Sequence, residues 1–244
     1  MISSLFRTFF FQPLYNAFIV LFDFFPWLDA GVLVILFTLL VKLALFPLSR
    51  KAITAQLSMK QIEPELTQIR EKYKDKQEQA RRTMDLYKTK KVNPFSSIFV
   101  IFIQLPIVLA LYFVFLRSGL PAVNETLLYS FVPRPENINM AFLGLIDIAG
   151  KNYLLALLAG VSSFFQIRFS VQPHKPSTVR SFRDDLARSM NIQMRYVFPI
   201  IVFFISYNIS GAVALYWFTS NLFTLGQELV VRKKLKSQNT ERKT

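Results

Sequence analysis

The sequence predicts an all-α, polytopic membrane protein: five transmembrane helices, an outer interfacial helix and a cytoplasmic helical hairpin. Three observations carry this. Hydrophobic residues make up 52% of the 244, charged residues only 18%, and mean hydropathy is +0.35. A soluble domain has about 25% charged residues. The apolar residues fall in blocks of membrane-spanning length. Lysine and arginine concentrate in alternate connecting segments, as a membrane topology requires.

The elements follow in order. Residues 5–27 are aromatic-rich but interrupted by Arg7, Gln12, Asn16 and Asp23. Pro13 suits a first helical turn. A helix over Leu14–Phe25 would be about 18 Å long, too short to span, so this segment is expected to lie in the interface with Tyr15 and Trp27 at headgroup level. The first span is 31–48, which holds a single lysine, Lys42. The polar segment 49–93 has helical stripes (Ile53, Leu57, Ile62, Leu66, Ile69, Tyr73; then Ala80, Met84, Tyr87). They predict two antiparallel helices with a turn near Lys74–Lys76, Pro64 starting or kinking the first. The second span is 95–116, with Gln104 and Pro106 inside. An outer loop covers 117–152, the third span 153–169 and a cytoplasmic loop 170–195. The fourth span, 196–207, and the fifth, 212–231, are split by Asn208, Ser210 and Gly211. The basic tail 232–244 is expected to be disordered beyond its first turn. The whole is read as one domain.

The net charge of +14 follows this topology. Segment 49–93 holds twelve Lys/Arg, 170–195 five, the tail six and 117–152 three. The richer segments are therefore cytoplasmic, the N-terminus and 117–152 outside. Nucleic acid is not needed to explain the charge. There is no cysteine and one histidine, His174, in a polar loop. No metal or cofactor is expected, and an enzyme lacks a nucleophile–base pair: Ser162 and Ser163 have no evident base.

Lys42 poses the functional question. An ammonium inside a spanning helix is disfavoured by about 2.5–3.5 kcal/mol on insertion scales. Thr38 lies one turn earlier on the same face. Gln104, Gln166, Tyr216, Trp217, Thr219, Ser220 and Asn221 add polar or amphipathic groups at membrane depth. Either these are interhelical glue and Lys42 reaches the cytoplasmic headgroups, or they converge on a wet cavity open to the cytoplasm. Glu228, at the interface, is the nearest carboxylate candidate for Lys42.

Several stretches resemble one family: Gln12–Phe18 (QPLYNAF), Thr38–Leu48 (TLLVKLALFPL), Met59–Lys74 and Met84–Phe95 in the hairpin, Ile103–Tyr112 (IQLPIVLALY), Phe142–Ile148 (FLGLIDI) and Ser210–Glu228 (SGAVALYWFTSNLFTLGQE). In this order and spacing they are similar to the YidC/Oxa/Alb superfamily of membrane protein insertases. The resemblance implies five conserved spans and a hydrophilic groove facing cytoplasm and lipid, with Lys42 where the family usually has arginine. Lysine keeps the charge but loses the planar bidentate fork. The groove residues it implies are Lys42, Thr38, Gln104, Gln166, Tyr216, Trp217 and Asn221; hairpin contacts are Arg70, Lys72, Tyr73, Arg81 and Arg82. The partners it implies are nascent membrane protein clients and membrane lipids, with the ribosome and the Sec translocon as candidates. No nucleic acid beyond ribosomal RNA is expected, and the expected state is a monomer in the bacterial plasma membrane. The 117–152 loop is too short for the large outer domain of Gram-negative members, so the likeness is to a minimal five-span form. The competing reading is a small transporter or channel with Lys42 as counter-ion; such folds usually show inverted repeats, and this sequence shows none.

Overall fold

A computed structural model describes residues 4–93, 106, 109, 110, 113, 114, 121–135, 137–170, 189 and 192–241, apart from the side chains of Lys60 and 235–241. Most of span 95–116, with Gln104, and most of loop 170–195 lie outside the described residues. The chain forms two compact units. One is Met1–Ala44, Gln104–Gln172 and Ile192–Gly226; the other is Leu45–Ile103, Pro173–Asn191 and Gln227–Thr244.

The first unit begins with α1, Ser4–Phe24. Its 21 residues exceed the stretch expected from Leu14, because a π-helical turn over Arg7–Phe11 carries the helix through Pro13. Proline lacks an N–H and its ring clashes with the carbonyl four residues back. The wider turn lets Gln12 N–H bond Arg7 O instead. The same device recurs at Pro199. The five-residue π turn Gln193–Val197, closed by Phe198 N–H on Gln193 O, lengthens the 12-residue helix α7, Phe198–Ile209, on its N-terminal side.

Helix α2, Ala30–Ala44, starts on Asp29, whose Oδ1 accepts Val32 N–H at 2.9 Å. The apolar run 31–48 is not one helix. It breaks at Leu45, where Pro47 ends the hydrogen-bond ladder, and α3, Phe46–Gln61, follows. Helix α6 is Tyr153–Ser170. α1 and α6 are long and apolar enough to cross a membrane; α2 with Phe46–Met59 makes a third if counted as one broken span. α6 packs on α7, and Gly160 permits the approach: a Cβ there would meet Phe203 Cβ at 3.0 Å. Extended Ser210 separates α7 from α8, Gly211–Glu241. α8 corrects the expected disorder of the tail. No glycine or proline interrupts 227–241, and Glu228 and Arg232 form an i,i+4 ion pair.

The sequence predicts an outer loop over 117–152; its described residues, 121–135 and 137–152, have structure of their own. It contains a 3₁₀ turn, Glu125–Leu127, and a short antiparallel pair, β1 (Ala141–Phe142) and β2 (Ile146–Asp147). Among the described residues this is a small β addition to helices. It is tied to four helices. Asn16 of α1 donates to Leu127 O and accepts Tyr129 N–H; Tyr15 Oη accepts Asn124 N–H. At α2, Asp29 Oδ2 accepts Leu143 N–H, and Ala30 N–H donates to Asn139 O. At α8, Gly211 and Ala212 donate to Gly150 O and Ile148 O. Asn152 caps α6 through Leu155 N–H.

Gly31 lets β1 sit against α2. A Cβ there would lie 2.3 Å from Phe142 Cδ2 and 2.7 Å from its Cβ. We expect Gly31→Ala to destabilise this unit by about 1–3 kcal/mol, read as a lower unfolding midpoint in detergent. An unchanged midpoint would show that Phe142 yields freely.

The second unit holds α3, α4 (Glu63–Lys72) and α5 (Lys76–Thr89). Asp75 caps α5, accepting from Gln77 and Glu78 N–H. Ile62 and Leu66 pack with Val92, against Met59, Leu86 and Tyr87. Residues early in α4 thus meet residues late in α5, so the two helices run antiparallel.

Candidate functional site

Lys42 sits in the last turn of α2, partly buried, with Nζ donating to Thr224 Oγ1 of α8 at 3.2 Å. Thr224 donates its own proton to Ser220 O at 2.8 Å. The threonine oxygen is therefore an acceptor for the ammonium, which offsets part of its desolvation. Glu228, expected to be the nearest acid, pairs with Arg232.

Three residues before Thr224, on the same side of α8, Asn221 Nδ2 lies 2.7 Å from Ser163 Oγ and 3.0 Å from Ser162 Oγ. Ser162 passes its proton to Ala159 O. One face of α8 thus holds two polar links, to α2 through Lys42 and to α6 through the serine pair. Spacing in sequence gave the polar residues but not these partners.

The remaining candidates fall into two groups. Thr38 is buried, its hydroxyl turned back on Val34 O at 2.6 Å, and Tyr216 is buried as well. Gln166, bonded to Ser170 Oγ, and Trp217 are partly exposed, as is Asn221. Gln104 is outside the described residues.

In the hairpin unit, two cations lie near the Tyr73 ring: Lys72 Nζ is 5.7 Å and the Arg82 guanidinium 5.4 Å from its centre. The Glu78 carboxylate, hydrogen-bonded to Arg82 at 2.8 Å, raises that guanidinium's pKa above its ordinary value. Arg70, Lys72, Arg81 and Arg82 are exposed. The turn therefore offers a basic surface around one half-buried aromatic ring.

Comparison with known proteins gives consistent results. Residues 20–239 match the family described as 60Kd inner membrane protein. A protein named membrane protein insertase YidC from Fusobacterium nucleatum is 34% identical over 208 residues, covering 84% of this chain and 86% of the relative. One of the same name from Clostridium tetani is 31% identical over 209 residues, covering 85% and 84%. A solved structure, described as an active YidC insertase crystal structure with the first transmembrane domain resolved, aligns with a TM-score of 0.53 at 25% identity. That alignment covers 86% of this chain and 45% of the solved one. Since the family match covers 20–239, from the end of α1 to within two residues of the end of α8, the chain belongs to the 60Kd inner membrane protein family.

Proposed function

We propose that this chain is a membrane protein insertase of the bacterial inner membrane, acting without a nucleotide. What supports the reading is a lysine of an apolar helix whose ammonium donates to a hydroxyl, Lys42 on Thr224, in a unit whose residues 124–152 are bonded to α1, α2, α6 and α8. Such an arrangement suits a pocket wet from the cytoplasm and closed outside.

The barrier it lowers is desolvation. A client's polar leading segment must cross hydrocarbon, where each unsatisfied backbone group costs several kcal/mol. A wet pocket shortens the dry path, and Lys42 attracts acidic residues of that segment. Lys42, Gln166, Trp217 and Asn221 meet the client. Gln104 completes the groove, while buried Thr38 and Tyr216 shape it from beneath. The client's apolar helix leaves toward lipid past Trp217.

The topology we propose keeps five spans near 31–48, 95–116, 153–169, 196–207 and 212–231. The N-terminus lies outside; hairpin 49–93, loop 170–195 and the tail 232–244 are cytoplasmic. α1 is long enough to cross, but Gln12, Tyr15 and Asn16, near its middle, bond to 124–129. A helix with its midpoint at the level of the outer segment fits the interface better than a crossing. In the hairpin, Arg70, Lys72, Tyr73, Arg81 and Arg82 make first contact with nascent chain or ribosome, and the protein works as a monomer, alone or beside the Sec translocon.

The test is reconstitution. Vesicles holding the purified chain should insert a single-span client, made in a cell-free system, at several times the rate of protein-free vesicles. The client's outer segment would then be protected from added protease. Equal insertion with and without the chain would end the proposal; ion or solute flux without insertion would transfer it to a channel.

A further inference from the structure

The hairpin unit contains a groove of about 550 Å³ between the start of α3 and the chain leaving α5. Arg50, Lys51 and Lys91 line it, together with the apolar surfaces of Pro47, Ala55 and Val92. No acidic side chain is among its described lining residues. Nor, among the described residues, does an ion pair engage any of the three cations. The adjacent Lys90 is paired with Glu65 at 2.7 Å.

Lys91 is the unusual member. Its φ is +52°. It closes α5 with Lys91 N–H on Lys88 O and Val92 N–H on Tyr87 O, the Schellman arrangement, in which glycine is the favoured residue. Val92 then packs on Leu86 and Tyr87. A lysine at this left-handed position is disfavoured, yet it adds a third cation to the groove. Arg50 and Lys51 follow the apolar run 31–48 by two and three residues, which puts them beside the inner headgroups where that run is a span. Three cations and the apolar surfaces of Pro47, Ala55 and Val92 in one groove, with only the neutral polar groups of Thr54, Ser58 and Asn93 besides, match an amphiphile whose polar part is an anion. An RNA backbone would need neither the apolar wall nor a site beside the membrane.

We propose that this groove binds one anionic phospholipid of the inner leaflet, its phosphate between Arg50, Lys51 and Lys91 and its glycerol and upper acyl carbons against Pro47, Ala55 and Val92. The lipid would anchor the base of the hairpin at the membrane surface. The inference depends on 31–48 being a span, not on insertase activity, so either can fail without the other.

The test uses the full chain in neutral detergent, with short-chain phosphatidylglycerol titrated against phosphatidylcholine of equal chain length and retention read by native mass spectrometry. Phosphatidylglycerol should bind preferentially. Lys91→Gly should weaken it on the order of fivefold, since one cation near a membrane surface is worth about that factor; adding Arg50→Gln should weaken it by a similar further factor. Glycine suits the positive φ, so Lys91→Gly should unfold no earlier than the wild type, which separates lost binding from lost fold. Lys233→Gln with Lys234→Gln, removing two basic residues elsewhere, should leave binding unchanged. Equal binding of the two lipids, no loss in Lys91→Gly, or an equal loss in the Lys233/Lys234 variant would overturn the proposal. So would inorganic phosphate displacing the lipid at equal concentration, which marks a free-anion site, or a short RNA doing so, which marks a nucleic-acid surface.

Discussion

Replacing Lys42 by glutamate should nearly abolish insertion of a single-span client with an acidic leader, while replacing it by arginine should leave insertion intact. The attraction between an ammonium and a carboxylate at about 4 Å is worth up to about 4 kcal/mol at an effective dielectric of 20. Part of that is lost to motion and water. A fall of about tenfold to a hundredfold in rate is the expected range for a neutral substitution, and glutamate adds repulsion. Lys42→Leu is the most instructive of the series. It removes a charge that the spanning helix disfavours by about 2.5–3.5 kcal/mol, so the protein should be as stable as before, or more so. It should nonetheless insert poorly. Loss of activity without loss of stability separates a client-binding lysine from a structural one. Thr224→Val removes the acceptor 3.2 Å from Nζ but keeps the charge, and should cost far less than Lys42→Leu. A client whose leader carries no acid should be indifferent to the whole series. If Lys42→Leu inserts the acidic client at the wild-type rate, the lysine has no part in the mechanism.

Residue 42 announced itself in sequence because one lysine among apolar neighbours is visible without any contact map. Its partner did not. Thr224 is 182 residues away, and which residue of α8 faces α2 depends on their relative register, which periodicity does not fix. Asn221, Ser162 and Ser163 were each noticed as polar groups at depth, but their mutual bonds needed α6 and α8 placed side by side. The helical turns N-terminal to Pro13 and Pro199 are hidden in sequence for another reason. A proline inside an apolar stretch reads as a boundary, whereas a single π turn before Pro13 and Pro199 lets the helix continue. The segment 121–152 read as a loop because strands of two residues carry no alternation to detect. In sequence, Asn16 shows only as an interruption of an apolar helix.

Asn16 carries the second large effect. Its side chain is 2% exposed, and all three of its hydrogen bonds are to backbone groups. Nδ2 donates to Gln12 O and Leu127 O, each at 2.8 Å, and Oδ1 accepts Tyr129 N–H at 2.7 Å. No apolar residue can do this. In Asn16→Leu, the Leu127 carbonyl keeps a second donor, Gln12 Nε2 at 3.3 Å, but Tyr129 N–H is left without its acceptor. A buried orphan donor costs about 1–3 kcal/mol, and the lost bonds add about 1 kcal/mol. We therefore expect about 2–4 kcal/mol of destabilisation, concentrated where 124–129 meets α1. Asn16→Asp keeps the acceptor for Tyr129 but turns a carboxylate toward Leu127 O, and should be worse still. Tyr15→Phe, which loses only the acceptor for Asn124 N–H, should cost about 1 kcal/mol. The readouts are the unfolding midpoint in detergent and the rate of protease cleavage within 124–129, which should rise before global unfolding. The same variant probes the outer closure. If 121–152 seals the pocket, a cysteine at position 221 should stay unreactive to an impermeant reagent added outside in the wild type and become reactive in Asn16→Leu. A protected position 221 together with a cleaved 124–129 segment would mean that the remaining ties, at Asp29, Asn152 and Gly211, hold the closure without α1.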